Sequence, residues 1–148
     1  MSFGVSLAEP EIEWAGSDLG TVFAQRSNLL RPAFLGMLSD ILRFNRETTR
    51  MAAAGDAPPV SLGDYLAVGR YGSAFRDWYL LSMAAAIWSC PTRTMLDYPL
   101  ATFARFCHNH GLLQIFDRPR WRTVAGGGRE YVRRILDELD DVQVATPV

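Results

Sequence analysis

The densest grouping of side chains able to do chemistry is Cys107-His108-Asn109-His110, closed by Gly111. Thiol and imidazole groups ligate zinc or form nucleophile–base pairs. Leu100 to His110 has helical spacing, and on a helix His108 and His110 project about 200° apart. They cannot share one metal ion unless the helix has ended, and Cys90 stands at no zinc-motif spacing from them. No metal site is therefore expected, a small zinc protein built on Cys107, His108 or His110 being the rival. Two other readings stay open: a polar helix C-terminus with one histidine near the last carbonyls, or polar groups facing a substrate or cofactor cavity. Cys90, after an apolar helix, reads as a buried small side chain rather than a nucleophile. Serines, histidines and acids all occur, but no G-x-S-x-G elbow singles out one serine.

A second grouping is the triple glycine Gly126–Gly128, which runs into the helical pattern "REYVRRIL". A Gly-rich turn at a helix N-terminus can hold phosphate. "AGGGRE" does not supply G-x-G-x-x-G, because one required glycine falls on another residue in every register. "WRTV" is not the apolar strand that opens a dinucleotide-binding unit, and no Walker lysine follows. The glycines read instead as a strand-to-helix turn that needs positive φ or close backbone approach.

The elements that must position these residues follow from patterning. The chain has 148 residues, 49% apolar and 21% charged, with a net charge of −1, so it should form one domain, residues 1–148, with its own core. Fifteen basic against sixteen acidic residues give no electrostatic reason to expect nucleic acid. The longest strongly apolar run, Trp78 to Trp88, is too short to cross a bilayer. No secretory signal pattern opens the chain and two cysteines make no disulfide framework, so a cytoplasmic location is expected. "MSFGVSL" and "EIEWAG" alternate as a hairpin, and Ser17 or Asp18 could cap a short helix after it. Pro32 suits the first turn of a long helix whose stripe is Phe34, Met37, Leu38, Ile41, Leu42 and Asn45. On its other side Asp40 and Arg43, and Glu47 and Arg50, stand three apart. Ser61 should cap a short helix and Ser73 the next, whose Trp78–Trp88 portion is apolar all round and belongs in the middle of the fold. Phe75, Trp78, Tyr79, Trp88, Phe103 and Phe106 are core by default, or in part the lining of an apolar pocket. "LLQIF", "WRTV" and "VQVATPV" look like strands. The expectation is an α+β, mainly helical bundle of about five helices, with a small sheet formed by strands from both chain ends. The abrupt strand-like ends suit an excised piece.

Taken together, "FAQRSNLL", "DILRFNRE", "YGSAFRDWYLLSMAAAIWSCP" and "FARFCHNHGLLQIFDRPRWRTVAGGGREYV" resemble the middle portion of bacterial predicted FAD-binding proteins of the flavin-containing amine oxidase superfamily. The resemblance covers nearly the whole chain, and "AAIWSCP" and "HNHGLLQ…RPRWRTV.GG…YV" are its most specific parts. It implies the substrate-binding (cap) domain of a larger FAD-dependent oxidoreductase, with a small-molecule substrate and the flavin domain of the same parent chain as partners. The family's G-x-G-x-x-G unit is not in these 148 residues, so the chain alone should be inactive and should not hold FAD tightly. By position, the resemblance assigns Trp88, His108, Asn109 and His110 to the substrate side, and Trp121, Arg122, Gly126 and Gly127 to the flavin side; Cys90, Pro91 and Gly111 also match. It names no catalytic base: many flavin amine oxidases use an active-site lysine, and this chain contains none. Surface facing a flavin domain would favour self-association, with strand edges as contacts. The alternative is a stand-alone helical module that binds an apolar ligand or a partner protein without catalysis.

Overall fold

The computed structural model describes residues 4–16, 19–114 and 122–143. The chain divides into two compact units, residues 1–118 and 119–148, each described by itself.

The first unit opens with the expected hairpin, β1 (Gly4–Ala8) and β2 (Glu11–Ala15), paired antiparallel with Val5 opposite Trp14 and Leu7 opposite Ile12. Phe3, Ser17 and Asp18, which the sequence assigned to a strand and a cap, lie outside the described residues. Alternation puts Val5, Ile12 and Trp14 into the core while Gly4, Ser6 and Ala8 stay exposed. A short helix α1 (Leu19–Val22) and a 3-10 turn (Arg26–Leu30) lead to α2 (Pro32–Ala54), with Pro32 in its first turn. The side chains α2 buries are Phe34, Met37, Ile41, Phe44, Asn45, Thr48 and Met51. Leu38 is only half-buried, and Leu42, expected in the stripe, is 58% exposed. Successive steps of three and four run from Phe34 to Met51 through Phe44, and Leu42 sits a quarter-turn off that line. Gly55, at φ 70°, closes the helix by donating to the Met51 carbonyl, so the three alanines before it belong to α2.

Helix α3 (Leu62–Val68) is capped as expected, the Ser61 hydroxyl accepting from the Asp64 amide at 3.0 Å. Ser73 is not the cap of the next helix. It lies inside it, and Gly72 occupies the cap position: its carbonyl accepts from the Arg76 amide at 3.0 Å while its own amide donates to Asp40 at 2.9 Å. The following residues, Phe75–Leu80, wind as a π-helix before α4 (Leu81–Trp88) resumes α geometry. This wide turn buries Phe75, Tyr79 and Leu80 together. Ala86 and Ile87 at the far end of α4 are exposed, so this helix is not surrounded as its all-round apolar sequence suggested. Ser89, at φ 50°, ends it before Pro91; α5 (Thr92–Leu96) and α6 (Leu100–Asn109) follow.

In the second unit, α7 (Gly128–Leu136) carries Tyr131, Val132, Ile135 and Leu136 at helical spacing, with Leu139 just beyond, and all five are between 41% and 58% exposed. The fold is α+β and mostly helical, as expected. Both described strands, however, come from the N-terminal segment. Residues 112–114, 122–124 and 142–143 form no strand, and the rest of the expected C-terminal strands lies outside the described residues. No described helix is long and apolar enough to cross a membrane.

Candidate functional site

Helix α6 ends in a Schellman arrangement. Gly111 adopts φ 65°, its amide donates to the His108 carbonyl at 3.1 Å, and the Leu112 amide donates to the Cys107 carbonyl at 2.9 Å. This stop fixes which way the last turn presents His110. The His110 ring lies 4.2 Å from the Phe106 ring, one turn earlier on α6. Phe106 in turn lies 4.5 Å from Trp88 at the end of α4, and Trp88 stacks on Phe103 at 5.7 Å and meets Tyr98 at the same distance. Trp88 and His110, assigned to one side by resemblance, therefore share an aromatic ladder through Phe106. Phe103 is buried, Trp88, Tyr98 and Phe106 are half-buried, and His110 is exposed. The ladder runs from core to surface.

His108 and Asn109 are exposed beside it, and neither belongs to the stack. Cys107 is buried, and desolvation pushes its thiol up to about 12, far from the reactive thiolate range. Cys90 is half-buried against the core. Among the described residues no group of three or more His, Cys, Asp or Glu side chains is placed to hold a metal ion.

The second unit holds the glycine turn. Gly126 and Gly127 take φ 87° and φ 79°, values that side-chain-bearing residues rarely adopt. The Gly127 amide donates to the Val124 carbonyl at 2.9 Å, and the Gly127 carbonyl accepts from the Glu130 amide, which starts α7. A Cβ added at Gly127 or Gly128 would meet nothing within 4 Å, so the backbone there is open to close approach. Arg122 is exposed; Trp121 lies outside the described residues. Along α7, Glu130 pairs with Arg133 and Arg134 at 2.9 Å each, and Arg133 reaches Asp137 at 2.8 Å.

One cluster was not legible in the sequence. Glu47 does not pair with Arg50, which bonds Asp56 instead. Its carboxylate accepts from the hydroxyls of Tyr65 at 2.5 Å and Tyr71 at 2.8 Å. Arg43 lies 3.9 Å over the Tyr71 ring and donates to Asp40 and to the Gly69 carbonyl. Burial alone would raise Glu47, but the two tyrosine hydrogen bonds and the Arg43 charge outweigh it and hold the carboxyl below its ordinary range. Burial and the bond to Glu47 push Tyr65 up to about 12, and Tyr71 higher still. Both shifts run away from neutrality, so no proton is poised to move here. The cluster is a latch between α2, α3 and the Gly69–Gly72 turn. The available signal was an acid three residues after the core Phe44, at the border of the buried stripe.

The chain matches no protein-family model, no curated protein and no solved structure.

Proposed function

We propose that the chain forms the helical substrate domain of an FAD-dependent oxidoreductase of the flavin-containing amine oxidase type. The observation that carries this reading is the aromatic ladder by which Phe106 links two segments quoted in the resemblance, "AAIWSCP" and "CHNHG". They come together where Trp88 reaches Phe106 at 4.5 Å and Phe106 reaches His110 at 4.2 Å. The residues present fit one edge of a flavin rather than a whole site. Gly126 and Gly127 hold positive φ with open space beside Gly127, which suits close approach of a planar group. FAD, when bound by the rest of the parent protein, supplies the hydride acceptor.

This chain's part is to bind and orient. Trp88, Tyr98 and Phe106 offer an apolar wall that favours the apolar portion of a small-molecule substrate and excludes water. His110 stands at the exposed end of that wall. The chain assigns no catalytic base, and a lysine would have to come from elsewhere in the parent.

Expression of the complete reading frame, with flavin content and flavin reduction measured over amines, lipids and polyenes, tests the reading. A flavoprotein whose KM rises on Trp88→Ala is the expected result. A reading frame without an upstream glycine-rich βαβ unit, or a purified product free of flavin, overturns it. The 148-residue chain alone should carry no stoichiometric flavin. The alternative, a non-catalytic module for an apolar ligand or partner, is favoured by the exposed α7 stripe. It predicts saturable binding of an apolar fluorescent probe by the isolated chain, lost in Val132→Asp but not in Trp88→Ala.

A further inference from the structure

The two edges of the hairpin are treated differently. Along β2, the Glu11 carbonyl accepts from Arg31 at 2.9 Å and from Gln25 at 3.5 Å. The Glu13 amide donates to Gln25 at 3.0 Å, and the Glu13 carbonyl accepts from Asn28 at 3.1 Å. Thr21 donates to the Ala15 carbonyl at 3.0 Å. The Glu11, Glu13 and Ala15 carbonyls and the Glu13 amide of β2 are thus occupied by the side chains of Thr21, Gln25, Asn28 and Arg31.

The same bonds fix the pleat. Because Glu13 points its amide outward, Val5–Trp14 and Leu7–Ile12 are the hydrogen-bonded pairs of the ladder. On β1 it is then the amides and carbonyls of Gly4, Ser6 and Ala8 that point away from the sheet. All three residues are exposed, and none is charged or proline. β1 is five residues long and its register carries no bulge, and among the described residues no hydrogen bond occupies the outward backbone groups of Gly4, Ser6 and Ala8.

We infer that β1 is a strand-addition edge whose partner is β1 of a second copy, paired antiparallel about Ser6. The sequence is self-complementary in that register. Gly4 meets Ala8 of the other copy, Ser6 meets Ser6, and each pair exchanges two backbone hydrogen bonds. Small side chains line the outer face of the join, so nothing collides. On the inner face Val5 of one copy lies beside Leu7 of the other, which extends the apolar surface. The product is a four-stranded sheet in the order β2-β1-β1-β2. It depends only on the hairpin, and stands or falls independently of any flavin.

Sedimentation velocity and light scattering from micromolar to millimolar concentration, with residue-resolved amide exchange, test it. A concentration-dependent doubling of mass is expected, with the Ser6 and Ala8 amides gaining protection as the dimer forms. The Val5 and Leu7 amides, already in the ladder, should be slow at every concentration. Ser6→Pro removes an outward donor while leaving the β1–β2 ladder intact, and should abolish the dimer. Where that variant fails to fold, Ala8→Lys places a charge at the join and serves instead. A monomer throughout, a folded Ser6→Pro that still dimerises, or a dimer without protection at Ser6 would overturn the proposal.

Discussion

The Glu47 latch and the Trp88 ladder are both built largely from aromatic rings, yet they do opposite things. In the latch every polar end has a partner: two hydroxyls meet one carboxylate, and a guanidinium covers one ring. In the ladder the rings step outward from buried Phe103 to exposed His110. A satisfied cluster stabilises and leaves little for a ligand to gain. The ladder instead carries aromatic surface from the core to the surface of the unit. The two meet at Phe44 and Phe103, whose rings stand 6.3 Å apart, so the closed cluster braces the open one.

The deepest cut at this contrast is Phe44→Ala. Phe44 is fully buried and touches Tyr65, Tyr71, Phe75 and Phe103, so its loss should cost about 3–5 kcal/mol and lower the denaturation midpoint of the whole first unit. Glu47→Gln should cost about 1–2 kcal/mol in chemical denaturation, because charge-assisted bonds from Tyr65 and Tyr71 become neutral ones. An unchanged midpoint would mean the latch is ornamental. The same pair of proteins gives a pH signature. A carboxyl held low in the folded state stabilises above its unfolded pKa and loses that contribution as pH falls through the folded value. The stability gap between wild type and Glu47→Gln should be constant near neutrality and shrink on acidification below the ordinary carboxylate range. The smallest stability effect is expected at the ladder's outer end. His110→Ala should change unfolding free energy by less than about 0.5 kcal/mol, as an exposed substitution. On the proposed reading it should nevertheless raise the KM of the full-length protein several-fold. A large stability loss there would make the ladder merely core.

How far these two regions could be read from residues differs for physical reasons. Helix α2 was legible because apolar side chains recur at helical intervals and Pro32 marks its start; α3 was legible because Ser61 and Asp64 form a local cap. Such signals need only neighbours within a turn. The π-helix at Phe75–Leu80 leaves no comparable mark, since its buried Phe75, Tyr79 and Leu80 would serve equally in an ordinary helical turn. Glu47 was assigned to Arg50 on spacing alone, whereas its partners lie 18 and 24 residues away. The apolar spacing of α7 is present as expected, but periodicity says that a face is apolar and not what covers it. At the candidate site, Trp88 and His110 came from resemblance, and Phe106, which joins them, was assigned only to the core or a pocket lining.

The sealed edge of β2 has a consequence for the size of any assembly. A sheet with two open edges can be extended without limit, each added molecule offering a fresh template. Among the described residues this hairpin has one. Were two β1 strands to meet, each copy would turn outward an edge whose carbonyls and Glu13 amide are already occupied by Thr21, Gln25, Asn28 and Arg31. On the proposed pairing growth would terminate at two, and the side chains of Thr21, Gln25, Asn28 and Arg31 would separate a closed pair from a fibre.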